Sequence, residues 1–247
     1  MSIPVIDDRV QFFPQYFKLD LSLQKLLTQV GRSCSKTYSY VLTTVIFDES
    51  RNAFQQTGSG PNFQGGRLTL CTCKHQMRSG MHLPVENWKN VWIVGFTSRQ
   101  ECDYNWLFYL TQVHYAKLTQ NALWRALPSE VRADKSSRRS RLGDLYQPKA
   151  NLDCPKCLDP NCQTCFDPES YYRPMIGHSH HQTASDDTWI DDIDSVYYNR
   201  RPALLVGKPQ MTFLWEHPLI RFRKNHPRTK TWNSLSAMLQ QLTSISQ

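Results

Sequence analysis

Val91-Trp92-Ile93-Val94-Gly95-Phe96-Thr97 and, after a short loop, Trp106-Leu107-Phe108-Tyr109-Leu110-Thr111-Gln112-Val113-His114-Tyr115 are the two stretches on which the fold turns. Both are dense in β-branched and aromatic residues and too short for ordinary buried helices, so they predict strands in a well-covered sheet. Residues 38–47, from Tyr38 to Phe47, have the same composition and predict a third strand. Leu68–Cys73, Ala203–Val206 and Met211–Trp215 add short ones. Helical spacing of Leu19, Leu23, Leu26 and Leu27 predicts a helix from about residue 21 to Gly31. Residues 120–127 read as a helix capped by Thr119, since a threonine hydroxyl can take the free N–H groups of a first turn. Lys74–Arg78 predicts a helical turn, and Leu235, Met238, Leu239 and Leu242 predict a C-terminal helix over 232–245. There is no internal repeat. The class is α+β: a mixed, strongly curved sheet or small barrel with peripheral helices.

The chain has 247 residues, 40% of them hydrophobic, with seven Trp, eleven Tyr and eleven Phe, enough for a sizeable core. No apolar run approaches the ~20 residues that span a bilayer, so no membrane association is expected. The first residues lack the basic and apolar regions of a secretory signal. The expected compartment is the cytoplasm, where reducing conditions favour paired cysteines as metal ligands over disulfides.

Residues 128–202 have little periodicity, which is unusual in a compact domain unless function or a ligand holds the segment. Within them lies Cys154-Pro155-Lys156-Cys157-Leu158-Asp159-Pro160-Asn161-Cys162-Gln163-Thr164-Cys165, with half of the chain's eight cysteines. Two C-x-x-C hooks can close a tetrahedron of thiolates around zinc at ~2.3 Å. The expectation is a closed, structural Zn²⁺ site on Cys154, Cys157, Cys162 and Cys165 that staples the long loop. Two disulfides or four free thiols are the alternatives.

The formal net charge is +8 and the pI about 9.1, which favours polyanions through counterion release. The cations cluster: Arg132, Lys135, Arg138, Arg139 and Arg141 fall in one run, and Arg221, Arg223, Lys224, Arg228 and Lys230 in another. Either run can be a solvated loop. With aromatic residues nearby, each also suits phosphate tracking and base stacking, with Arg132, Lys135, Arg138, Arg139, Arg141, Arg221, Arg223 and Lys224 as the contact residues.

A last stretch carries more specific information. Gln56-Thr57-Gly58-Ser59-Gly60-Pro61-Asn62 leads through Gly66 to Thr69-Leu70-Cys71-Thr72-Cys73-Lys74 and Arg78. A Gly-Pro-Asn turn can aim a backbone N–H and an amide at a ligand. Lys74 and Arg78, four apart, would share a helix face and suit a phosphate or carboxylate. A hairpin turn with ordinary surface cations is the plain alternative.

This stretch, followed by Trp92-Ile93-Val94-Gly95, Gly143-Asp144-Leu145-Tyr146, His178-Ser179-His180 and Leu204–Val206, resembles the second of the nucleotide-modification-associated domain families. The resemblance covers roughly residues 38–216. It departs from the family at Gln56 and at Lys89-Asn90, where acids are usual. The cysteine loop looks like an insertion. The resemblance implies a link to modified nucleotides in phage, mobile-element or defence settings, and a weaker likeness to PUA/ASCH-type barrels. It divides the chain into a helical extension at 1–37, a central domain at 38–216 and a basic segment with a helix at 217–247.

The leading expectation is therefore a nucleic-acid-binding protein, DNA ahead of RNA, that recognises a modified base or nucleotide. Its ligand residues would be Gly58, Gly60, Pro61, Asn62, Lys74 and Arg78, with aromatic walls from Trp88, Trp92 and Trp106. The alternatives are an enzyme acting on nucleotides, with His178, His180 and Asp144 as acid–base groups, or a subunit with protein partners in a defence or mobile-element complex.

Overall fold

The computed structural model describes residues 17–244 except 59, 100–102, 151, 153, 155, 156, 177 and 179–188. In chain order the elements are β1 (Lys18–Leu19), α1 (Leu23–Val30), β2 (Thr37–Leu42), β3 (Val45–Asp48), β4 (Ala53–Gln56), β5 (Thr69–Leu70), α2 (His75–Gly80), β6 (Trp92–Thr97) and β7 (Leu107–Lys117). There follow α3 (Gln120–Ala126), α4 (Ser129–Lys135), α5 (Gln163–Phe166), α6 (Trp189–Asp194), β8 (Leu204–Leu214), β9 (Ile220–Phe222), β10 (Thr229–Trp232), α7 (Leu235–Leu239) and β11 (Leu242–Ser244).

The main sheet is mixed, with strand order β1-β8-β7-β6-β2-β10 and β5 paired to β8. β1–β8 and β2–β6 run parallel; the other pairs are antiparallel. The fold is thus α+β, and no closed barrel is found among the described residues. Strands come from all three sequence stretches, since β1 joins β8 and β10 joins β2.

Every residue of β6 is buried, which accounts for its unbroken apolar run. Ile93 packs with Tyr38, Tyr40, Trp88 and Phe108 on one face. Trp92, Val94 and Phe96 pack on the other against Leu26 and Val30 of α1 and Leu235, Met238 and Leu239 of α7. Trp88 and Trp92 are therefore core residues at 0% and 1% exposure, not walls of a binding site. Gly95 makes room for a neighbour: a Cβ there would sit 2.3 Å from Cε1 of Tyr109.

Three predicted elements differ in detail. The strand at 38–47 breaks at Thr43-Thr44, and its second half turns away to pair with β4. Ala203–Val206 and Met211–Trp215 are parts of one long strand, β8. The C-terminal helix shrinks to Leu235–Leu239, flanked by two strands. The apolar spacing was real, for Leu235, Met238, Leu239 and Leu242 all enter one core. A short helix followed by a strand meets that spacing as well as a long helix does. Ser234 fixes the start by accepting from Ala237 N at 3.1 Å, and Leu242 opposite Phe222 begins the β11–β9 pairing.

Candidate anion-binding cleft and metal site

A cleft of about 680 Å³ opens between the β2–β10 edge of the sheet, helix α2 and the turn before β8. Lys74 and Arg228 line it, with Thr43, Thr44, Thr72, Thr229 and Thr231 supplying hydroxyls, and among the described residues its lining contains no carboxylate. Lys230 and Ser39 border it as well, but the Lys230 ammonium lies 3.9 Å from the centre of the Trp232 ring and the Ser39 hydroxyl is taken up by His226 and Trp232. Lys74 stands at the N-terminus of α2 in a left-handed conformation (φ 57°), its ammonium 5.3 Å from the centre of the Tyr40 ring. Burial lowers its pKa from the ordinary lysine value; the Cys73 thiol opposes this and Arg228 adds to it. The Arg228 side chain has no hydrogen bond or ion pair among the described residues. Two cations close enough to repel, with no acid beside them among the described lining residues, form an environment that an anion relieves.

Of the six ligand residues expected from sequence, only Lys74 lines this cleft. Arg78 lies four residues on but points inward, fully buried. Its guanidinium donates to the carbonyls of Cys71 (2.7 Å), Cys73 (3.0 and 3.2 Å) and Ala203. A guanidinium fork so engaged ties β5, α2 and the start of β8 together and offers nothing to a ligand. Gly58, Gly60, Pro61 and Asn62 are buried as well. The Asn62 amide donates to Leu142 O and Gln64 Oε1, each at 2.9 Å. Its carbonyl oxygens receive the ammonium of Lys135. Gln56 donates to Gly58 O at 3.0 Å and serves the loop itself.

Lys135 is the plainest correction to the basic run. It is fully buried, donating to Asn62 O (3.0 Å), Asn62 Oδ1 (2.7 Å) and Thr69 Oγ1 (2.9 Å), so it cannot reach a phosphate on the surface. Burial lowers its pKa to about 8, opposed chiefly by the charge of Asp144. Arg132, Arg138 and Arg139 do line a second, shallower groove with Trp124 and Gln147. Arg132 lies over the Trp124 ring at 5.5 Å and Arg138 over Tyr172 at 4.4 Å. Arg141 is half-buried beside them in sequence. In the second run, Arg221 stacks on Tyr104 at 4.0 Å and Arg223 donates to Leu242 O, while Lys224 is exposed.

Asp144 and His178 are 1% and 4% exposed and line neither of these two clefts. Asp144 interacts with Cys71 and Lys135. His178 Nε2 lies 3.1 Å from the Tyr146 hydroxyl, which donates to Asp192 Oδ2 at 2.7 Å. Asp192 Oδ1 is 3.5 Å from Nε2 of His75, a cleft residue. The histidines that line the cleft are His75, with Asp192 behind it, and His82, in place of His178 and Asp144. His180 lies outside the described residues.

The four clustered cysteines meet. One sulfur from each of Cys154, Cys157, Cys162 and Cys165 lies within 4.8 Å of all the others, close enough to hold a metal such as zinc. A zinc tetrahedron with ~2.3 Å bonds needs sulfurs about 3.8 Å apart, so only slight contraction is required. No disulfide forms among the described cysteines. The loop is anchored independently: Asn121 Nδ2 donates to Cys154 O, Tyr171 Oη to Cys165 O, and Arg201 lies over Phe166 at 3.9 Å. Cys157 and Cys165 join Tyr146, Tyr171, Trp189 and Ile193 in a small core of their own.

Comparison with family models, with curated proteins and with solved structures finds no match. Among the described residues no helix is long and apolar enough to cross a membrane. Sequence reading missed Arg228, Lys230, His82, Tyr197 and Tyr198 as cleft residues. Arg228 was visible as one cation of the second basic run, with nothing to set it apart as a cleft residue. Nothing in Tyr197-Tyr198 distinguished it from other surface tyrosines.

Proposed function

We propose that the protein binds nucleic acid, DNA in preference to RNA, and admits a nucleotide or modified base to the cleft between α2 and the β2–β10 edge. The convergence of Lys74 and Arg228 in a cleft whose described lining holds no carboxylate carries this reading. Phosphate suits these groups, because it accepts charge-assisted hydrogen bonds from ammonium and guanidinium alike and the lining hydroxyls add donors. The groove of Arg132, Arg138 and Arg139 gives a second place for a strand's backbone. The resemblance to the nucleotide-modification-associated family supports the same ligand class, in a cytoplasmic defence or mobile-element setting. In this reading the four cysteines hold a structural zinc ion that fixes the loop.

Fluorescence anisotropy with labelled single-stranded DNA, duplex DNA and RNA tests the reading. DNA binding should weaken about tenfold or more in Lys74→Ala and in Arg228→Ala, at unchanged stability, since a lost charge-assisted contact costs roughly 1.5–3 kcal/mol. Equal affinity of parent and both variants for every probe would sink it.

One observation favours a second reading, an enzyme acting on nucleotides. His75 lines the cleft, its Nε2 3.2 Å from the Cys71 carbonyl and 3.5 Å from Asp192 Oδ1, so a carboxylate stands behind an imidazole at the site. Under this reading His75→Gln abolishes turnover of a bound nucleotide while affinity survives. Turnover that survives in that variant excludes it.

A further inference from the structure

The rim of the cleft carries aromatic rings on backbone that aromatic residues seldom adopt. Tyr197 and Arg200 exchange two backbone hydrogen bonds, Tyr197 N to Arg200 O at 3.0 Å and Arg200 N to Tyr197 O at 2.9 Å. The two residues between them, Tyr198 and Asn199, have φ of 55° and 56°. Positive φ at both central positions defines a turn that favours Asn, Asp and Gly. Asn199 conforms; Tyr198 does not. Across the rim His82 also has a positive φ, 51°, and its ring centre lies 6.4 Å from that of Tyr198.

Burial does not account for the conformation at Tyr198. The side chain is 63% exposed, so it fills no core. Its hydroxyl makes no hydrogen bond among the described residues. The ring rests on Gly80 of α2, where even a Cβ would come within 3.2 Å of Cε2. An unfavourable backbone conformation that holds a large ring in solvent at the mouth of a cleft points to a ligand for that ring. The cleft's volume, about 680 Å³, falls within the ~300–1,000 Å³ of small-molecule sites.

We infer that Tyr198, with His82 beside it, is a stacking platform for the base of a single nucleotide, extruded or terminal, whose phosphate rests on Lys74 and Arg228. The inference rests on the anion-binding reading above and adds the ligand class: a phosphorylated nucleoside, bound by its ring face as well as by its charge. Stacking is tolerant of base identity, because every base has a π-face, so a modification on a base edge need not interfere.

The test uses the full chain, with deoxyadenosine 5′-monophosphate and the base-free 2-deoxyribose 5-phosphate as probes, followed by calorimetry or NMR titration. The parent should bind the nucleotide at least about tenfold more tightly than the base-free phosphate. Tyr198→Asn suits the turn and should keep or raise the melting temperature while erasing that margin. Tyr198→Phe should keep the margin, and Lys74→Ala should weaken both probes. Equal binding of the two probes by the parent, or a margin that survives in Tyr198→Asn, overturns the platform and leaves the anion site standing. Binding of neither probe by the parent overturns the platform together with the anion reading.

Discussion

The ammonium of Lys135 donates to Asn62 at both its backbone carbonyl and its Oδ1, at 3.0 and 2.7 Å, and to Thr69 Oγ1 at 2.9 Å. Two residues that composition marks as ligand contacts hold each other inside the protein. The contact fastens the end of α4 to the Gly-Pro-Asn loop. All three ammonium protons find acceptors, and Asp144 adds an opposite charge nearby.

Removing Lys135 or Arg78 should therefore unfold the protein more readily without identifying a binding site. Lys135→Met leaves three acceptors without their donor, and Arg78→Ala leaves three carbonyls. Each should cost about 3–5 kcal/mol. Lys74→Ala, at the cleft, should stay within about 1 kcal/mol of the parent. Urea midpoints measure all three. A loss for Lys74→Ala equal to that for Lys135→Met would contradict the division between cleft and interior.

How much of this was legible follows from what each signal reports. β6, β7, α1 with its stop at Gly31, and α3 with its Thr119 cap were readable because burial of both sheet faces and a side-chain cap leave local marks. The cysteine cluster was readable because metal geometry fixes sequence spacing. Arg78 and Lys135 were misread because charge in a sequence does not say which way a side chain points. Their burial depends on carbonyls contributed from up to 125 positions away, as Ala203 is to Arg78. The cleft itself joins β2, α2, β10 and the turn before β8, a juxtaposition that arises only when the sheet forms.

Zinc content gives a direct check on the cysteines. Protein purified without chelator under reducing conditions should contain about one zinc per chain, and Cys157→Ser should lose it. The loop is anchored by Asn121, Tyr171 and Arg201 as well, so loss of zinc should loosen residues 150–170 and leave the main sheet protected from hydrogen exchange. Metal-free protein with the loop fully protected would show that the side-chain anchors alone suffice.

The second groove makes a separate electrostatic prediction. If Arg132, Arg138 and Arg139 each contact a phosphate, replacing all three by Gln should reduce the slope of log affinity against log salt by about 2.7 for duplex DNA. The loss should be alike for all sequences, because phosphate contacts carry no base information. An unchanged slope would mark the run as solvated surface.

Close packing at Gly95 sets a stability prediction that does not involve ligands. A Cβ there would lie 2.3 Å from Tyr109 Cε1 and 2.9 Å from Leu42 Cδ1, both within the sheet's core. Tyr109 cannot swing aside freely, since its hydroxyl is 2.7 Å from that of Tyr40. Gly95→Ala should cost about 1–3 kcal/mol or more by overpacking. A denaturation midpoint equal to the parent's would show that the β6–β7 contact relaxes more easily than its geometry implies.

The acid response of the C-terminal strands can be assigned to one imidazole. His226 is packed between Phe96 and Phe222, with ring centres 4.8 and 4.9 Å away. Trp232 Nε1 donates to Ser39 Oγ at 2.7 Å, and Ser39 Oγ lies 2.7 Å from His226 Nε2. The indole can only donate, so the serine proton is free to go to Nε2, which then acts as acceptor in the neutral ring. Nδ1 donates to the Pro227 carbonyl. Burial lowers the pKa of His226 to about 4, Lys230 adds to the lowering and the Pro227 carbonyl opposes it. In the unfolded chain the imidazole titrates near ~6.5. As pH falls from about 6.5 to about 4, the unfolded state takes up a proton that the native state refuses, so stability declines across that window and levels off below it. The loss attributable to this group is at most about 3 kcal/mol. It should act where β10 joins β2, loosening the strand that carries Thr229 and Thr231 along the cleft. Subtracting the pH–stability profile of His226→Gln from that of the parent isolates the term. A difference that is flat between pH 4 and 6.5 would show that His226 does not couple acidification to the folding of this edge.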